Sequence, residues 1–139
     1  MKIMICGSMS FAKEMVELQG QHKSIGHEVS IPSDTELHIE KPNFIDDLEK
    51  DLEHVIQNNV LRQCFDLLAA SEAVIFLNLP KNDIEGYMGT SVLMELGLAY
   101  YLKKKIYLMY PYPSPHAQRW AQEVASIQPV VLNGDISSL

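Results

Sequence analysis

Ala73-Val74-Ile75-Phe76-Leu77-Asn78 is the stretch on which the fold turns, an unbroken apolar run ended by an amide. A strand with one wet face alternates apolar and polar side chains, whereas a continuous run marks a strand covered on both faces. Four other short runs read as strands. Lys2-Ile3-Met4-Ile5-Cys6 ends at Gly7-Ser8, and His27-Glu28-Val29-Ser30-Ile31 is closed by Pro32. Lys105-Ile106-Tyr107-Leu108-Met109 and Val130-Val131-Leu132 follow, the last stopped by Asn133-Gly134-Asp135.

Stretches of helical period separate these runs. One starts near Ser10, with Phe11, Ala12, Met15, Val16 and Ile25 roughly on one face, and ends at Gly26 as a C′ glycine. Residues 33–43 are polar and bounded by prolines, and read as a loop. Asn43 is placed to cap a long helix over 44–69, with Asp46, Asp47 and Glu49 at its positive end. Ile45, Leu48, Leu52, Val55, Ile56, Leu61, Cys64, Phe65 and Leu68 recur there at three and four, with a break near Asn59. Further helices are predicted over 89–102 and about 116–126, with loops at 79–88 and 111–115. Five apolar strands alternating with helices predict one α/β domain over residues 1–139, with a parallel sheet and right-handed crossovers. A ligand site in such a sheet lies beyond the carboxyl ends of the strands, here loops 7–10, 32–36, 78–90 and 110–116.

The chain has 139 residues, 47% of them apolar, enough to bury a core without a disulfide or metal staple. Its formal charge of −7, from 18 acidic and 11 basic side chains, argues against nucleic acid or an anionic membrane surface as partner. A single small anion needs only a local cradle. Cys6 and Cys64 stand apart in apolar surroundings, as reduced thiols do in a reducing compartment. The first apolar run is too short for a signal-peptide core, and none approaches the ~20 residues of a membrane span. The expectation is a cytoplasmic protein with no membrane partner.

Glu95 carries the strongest chemical signal. It is the only ionisable side chain between Glu85 and Lys103, within Gly89-Thr90-Ser91-Val92-Leu93-Met94-Glu95-Leu96-Gly97-Leu98-Ala99. A carboxylate on so apolar a helix is costly to bury without partners or a purpose. At the mouth of a sheet it suits nucleophilic attack on an anomeric carbon; tied to backbone amides or a partner subunit, it is structural. Gly7-Ser8-Met9-Ser10 opens the first helix, where free N–H groups, two hydroxyls and Lys13 one turn on suit a phosphate or ribose. The loop lacks the G-x-G-x-x-G spacing of dinucleotide sites. Asn78 is expected to point its amide into the site, Tyr87 to stack on a base, and Asp83 and Glu85 to be solvated or near the base. His22, His27, His38, His54 and His116 show no metal spacing, though His38 and His116 fall near the rim. No metal and no cofactor are expected. Helix 89–102 is apolar on nearly every face, and with Tyr110, Tyr112 and Trp120 it predicts a homodimer bordering the site.

The strand-Gly-Ser opening, the strand 73–78 and Gly-Thr-x-x-x-x-Glu-Leu-Gly-x-Ala at 89–99 resemble the nucleoside 2-deoxyribosyltransferase-like superfamily. Ile5 to Met15, Gly86-Tyr87-Met88-Gly89, Lys104-Lys105-Ile106 and Leu132 to Asp135 are similar to a group of small microbial proteins within it. The resemblance implies a flavodoxin-like three-layer fold, with helices on both faces of a five-stranded parallel sheet, and a homodimer or larger oligomer. It implies a nucleoside or nucleoside 5′-monophosphate as substrate, Glu95 as the nucleophile at C1′, and Ser8 and Ser10 as phosphate contacts. Gly7, Met9, Asn78, Tyr87, Gly89 and Thr90 complete the expected binding set. Two carboxylates of the pattern are missing. Ser71-Glu72 stands where an aspartate precedes the third strand, and Gly89 occupies the region of the acid before the glutamate. Protonation of the leaving base therefore has no assigned residue. A non-catalytic nucleotide sensor is the alternative.

Overall fold

The computed structural model describes residues 1–139. Strands β1 (Lys2–Gly7), β2 (Glu28–Ser30), β3 (Ala73–Leu77), β4 (Lys105–Leu108) and β5 (Val130–Val131) form one sheet in the order β2-β1-β3-β4-β5. Every pairing is parallel, with Ile5 opposite Ile75 and Gly7 opposite Leu77 at the centre. The helices are α1 (Ala12–Ser24), α2 (Thr35–Glu40), α3 (Leu48–Gln57), α4 (Val60–Ala69), α5 (Thr90–Tyr101) and α6 (Ala121–Ile127).

The apolar runs are continuous because alternate residues feed different cores. Ile3, Ile5, Ala73, Ile75 and Leu77 pack with Met15 and Leu18 of α1 on one face. Met4, Cys6, Val74 and Phe76 meet Leu68 of α4, Val92, Leu96 and Ala99 of α5 and Val124 of α6 on the other. The result is a flavodoxin-like three-layer α/β fold. β1 leads to one edge of the sheet and β3 to the other, so a crevice opens where their carboxyl ends diverge. No helix is long and apolar enough to cross a membrane.

The chain departs from the sequence expectations mainly between β2 and β3. Residues 33–43 are not all loop, because α2 lies within them. Thr35 is buried and its hydroxyl donates to the Pro32 carbonyl at 2.6 Å, which folds the chain into a turn straight after the proline. Asn43 caps nothing. A 3₁₀ turn, Phe44–Asp46, follows it, and Asp47 caps α3 by accepting from the Lys50 amide at 3.3 Å. The long helix is two helices, because Asn59 at φ 52° breaks the run in the left-handed region that asparagine tolerates. α4 buries Val60, Cys64 and Leu68, whereas α3 buries no residue and leaves Leu48, Leu52 and Ile56 60–77% exposed. The last helix begins at Ala121 rather than near 116.

Candidate functional site

A cavity of about 440 Å³ lies at the crevice between the ends of β1 and β2 and the amino-terminal half of α5. Glu95 is set into its wall from the second turn of α5, only 7% exposed, and its Oε2 is buried without a hydrogen-bond partner. Burial pushes the Glu95 carboxyl up from its ordinary range, and a hydrogen bond with the Cys6 thiol opposes that shift. Cys6, fully buried beneath it, is held well above the ordinary thiol range, first by burial and then by the Glu95 charge. Burial, then the charges of Glu95 and Asp34, push the Cys64 thiol up to about 12. Both cysteines are therefore unreactive neutral groups that form an apolar seat under the carboxyl. Such a seat strengthens any interaction Glu95 makes with a bound molecule.

Of the residues singled out from sequence, Gly7, Ser8, Met9, Tyr87, Gly89 and Thr90 line the cavity together with Glu95. Gly7 fits closely into the sheet, since a Cβ there would sit 3.1 Å from the Leu77 carbonyl oxygen and the neighbouring strand would have to give by a few tenths of an ångström. The Ser8 hydroxyl accepts from the Ser10 amide at 3.3 Å and caps the 3₁₀ turn that precedes α1. Ser10 itself is exposed and lies outside the lining, as does Lys13, because that turn carries them away from the cavity. Asn78 is also outside it. Its Nδ2 donates to the Tyr110 carbonyl at 2.7 Å and its Oδ1 accepts from the Tyr110 amide at 2.9 Å. The amide that ends β3 thus continues the pairing of β3 with the segment after β4, a ladder role in place of a ligand role.

The loop after β3 is fixed from the same side. Gly86 has φ +69°, and a Cβ at that position would run into the Pro111 carbonyl oxygen. This packing holds Tyr87 at the cavity, with the Lys81 ammonium 5.2 Å from its ring centroid, a cation–π pair. Asp83 and Glu85 are exposed and outside the lining. His116 is exposed and lies outside it too.

The opposite wall holds groups that sequence reasoning did not assemble. Asp34 and His38, with Asp46, Asp51, Val60 and Leu61, line the cavity from the segment between β2 and β3. Asp34 Oδ2 lies 3.2 Å from His38 Nε2 and 3.2 Å from His54 Nε2. The available signal was Asp34 and His38 at i and i+4, which share a helix face; His54 lies 20 residues from Asp34, beyond any local pattern. Four carboxyl groups against one lysine leave the cavity with an acidic field.

No protein-family model matches the chain, and no curated protein matches it.

Proposed function

We propose that the protein cleaves the N-glycosidic bond of a nucleoside or nucleoside 5′-monophosphate, by hydrolysis or by transfer of the sugar, with Glu95 as nucleophile. The observation that carries this reading is the buried, partnerless Oε2 of Glu95 in a cavity at the carboxyl ends of a parallel sheet. An ionised Oε2 would attack C1′ through an oxocarbenium-like transition state to give a glycosyl-enzyme, which water or a second base resolves, as in retaining glycosidases. Burial favours the neutral carboxyl, so the sugar hydroxyls must donate to the carboxylate to hold it ionised. Tyr87 supplies a stacking face for the base and the Gly7-Ser8 turn a backbone cradle for the sugar side. The acidic lining and the loss of Ser10 from the cavity favour the nucleoside over its 5′-monophosphate.

A panel of ribo- and deoxyribonucleosides and their 5′-monophosphates, followed by chromatography for free base, tests this reading with and without an acceptor base. Release from at least one member, lost by 10³-fold or more in Glu95→Ala, is the expected result, of the order seen on removal of a covalent nucleophile. No release from any member removes the reading. The raised Glu95 also supports a second one, a sensor that binds a nucleoside or nucleotide through a neutral carboxyl without turning it over. That outcome would show as a ligand-dependent rise in melting temperature with no free base.

The reading includes a cytoplasmic homodimer. Met94, Tyr100 and Tyr101 on the outer side of α5 are 51%, 59% and 80% exposed, an apolar surface that the sheet does not cover. Light scattering coupled to size exclusion should give a dimer mass at micromolar concentration; a monomer mass there removes the dimer.

A further inference from the structure

The histidines on the wall opposite Glu95 belong to a hydrogen-bonded chain whose proton positions can be deduced. Asn58 Nδ2 lies 2.9 Å from the His54 carbonyl and 3.1 Å from His54 Nδ1. A carbonyl accepts only from a donor, so the amide nitrogen occupies that position and His54 Nδ1 is an acceptor. His54 therefore carries its proton on Nε2 and donates it to Asp34 Oδ2 at 3.2 Å. An ionised carboxylate only accepts, so His38 Nε2, 3.2 Å from the same oxygen, is an N–H donor as well. The chain ends at His38 Nδ1, which is buried and has no partner. An unpaired polar atom at that depth is costly unless something completes it. The 3.2 Å contacts are hydrogen bonds, and no group of His, Cys, Asp or Glu side chains here is arranged to hold a metal ion.

His38 and Asp34 line the same cavity as Glu95. We propose that His38 is the proton carrier of the glycosyl reaction, with Asp34 as the positioning residue that fixes its tautomer and His54 as the brace on Asp34. The inference rests on the glycosyl-transfer reading and fills the place that the two missing carboxylates leave open. In the first step the Glu95 carboxylate forms a bond to C1′ while the C1′–N bond breaks. The bond's electron pair goes to the base, which takes the Nδ1 proton of imidazolium His38. In the second step neutral His38 Nδ1 takes a proton from water as its oxygen bonds to C1′. As that bond forms, the C1′–O bond to Glu95 breaks and returns its pair to the carboxylate. The Asp34 carboxylate, bonded to Nε2, stabilises the imidazolium.

The titratable and charged groups that face His38 come from several elements. Asp34 bonds it directly, His54 bonds the same Asp34 oxygen with its ring centroid 6.5 Å from that of His38, Phe44 packs edge-on with ring centroids 5.9 Å apart, and Asp46, Asp51, Lys81 and Glu95 line the shared cavity. A purely structural network that staples α2 to α3 would show the same bonds, so the test needs a readout that such a role would not move.

That readout is leaving-group dependence. Nitrophenolate leaves without a proton, whereas a nucleobase needs one, so 4-nitrophenyl ribofuranoside and deoxyribofuranoside are compared with the nucleosides. His38→Asn and His38→Ala should lower kcat/KM for nucleosides about 10²–10⁴-fold but lower kcat/KM for the nitrophenyl glycosides, which reports the first step alone, far less, while turnover of both slows at the second step. Glu95→Ala should lose both substrates. Equal loss of kcat/KM on both in the His38 variants overturns the proposal while the glycosyl reading stands. A wild type that releases neither base nor nitrophenolate overturns both together. Nitrogen-15 spectra of the ligand-free protein, independent of activity, should show His38 protonated at Nε2 with Nδ1 bare whenever the ring is neutral. A neutral ring protonated at Nδ1 overturns the wiring.

Discussion

The two walls of the cavity are built by different physics. One is the turn after β1, the loop after β3 and the first half of α5, set against the sheet where Cys6, Phe76, Val92 and Leu96 are buried. The other is residues 32–61, a proline-led turn, three short helical pieces and an inverted asparagine, held by polar bonds around Asp34. The first wall takes its shape from apolar burial, which fixes many positions at once. The second takes its shape from a few directional bonds, so each bond matters more and less apolar area supports it. In the reading proposed above, the nucleophile sits on the firm wall and the proton carrier on the soft one. That division suits a site that must hold a sugar rigidly and admit a base.

The comparison breaks most visibly at Asn78. If the first wall depends on this amide as an extension of the sheet, Asn78→Leu orphans both the N–H and the C=O of Tyr110. The expected loss is about 1–3 kcal/mol of stability, since two part-buried backbone groups lose their partners. Chemical denaturation measures it. A variant of near wild-type stability that no longer binds ligand would return Asn78 to the site and show that its bonds to Tyr110 are dispensable.

A smaller effect concerns pH. In the native protein burial raises the Glu95 carboxyl above its ordinary value of 4.5. As pH rises through 4.5 the unfolded chain ionises first and the native state lags. The contribution of Glu95 to stability therefore falls with rising pH, and levels off once the native group has ionised too. Glu95→Gln removes this slope. Its melting temperature relative to wild type should increase between acid and neutral pH, and by less when a ligand donates hydrogen bonds to the carboxylate. A constant difference across that range would mean that Glu95 is solvated and the first wall looser than its packing implies.

What could be read in the sequence follows the same division. The strands were legible because both faces of β1 and β3 are apolar, and Glu95 because a lone carboxyl in an apolar helix has no cheap explanation. Asn78 was legible as a strand end but not as to its partner, because an amide serves a ligand and a backbone equally well. The chain of Asp34, His38 and His54 was legible only in the i, i+4 spacing of its first two members. Its members lie on two helices and a turn whose mutual placement depends on Asn59, on the turn that the Thr35 hydroxyl closes and on the cap at Asp47. The sequence 33–43 is polar enough to pass for loop, and only the buried faces of Thr35 and His38 make α2 a helix. The apolar period of Leu48, Leu52 and Ile56 misled in the opposite sense, since it marks a face that the sheet never reaches.

That uncovered face gives the finest test of the comparison. α3 buries no residue, and its ties to the rest of the chain are α4, the preceding 3₁₀ turn and the His54–Asp34 bond. Opening it exposes little new apolar surface, so the free energy of local opening is small and its amides exchange without global unfolding. Hydrogen exchange should show Leu52 to Gln57 opening at about 1–2 kcal/mol, while the amides of β3 exchange only near the full unfolding free energy. Removing the brace with His54→Ala should accelerate exchange in α3 and leave β3 and α5 unchanged, because the firm wall does not depend on that bond. Protection of α3 equal to that of β3 would mean that its apolar face is covered in solution. The two walls would then be equally firm, and the flexibility assigned to the base side of the cavity would be lost.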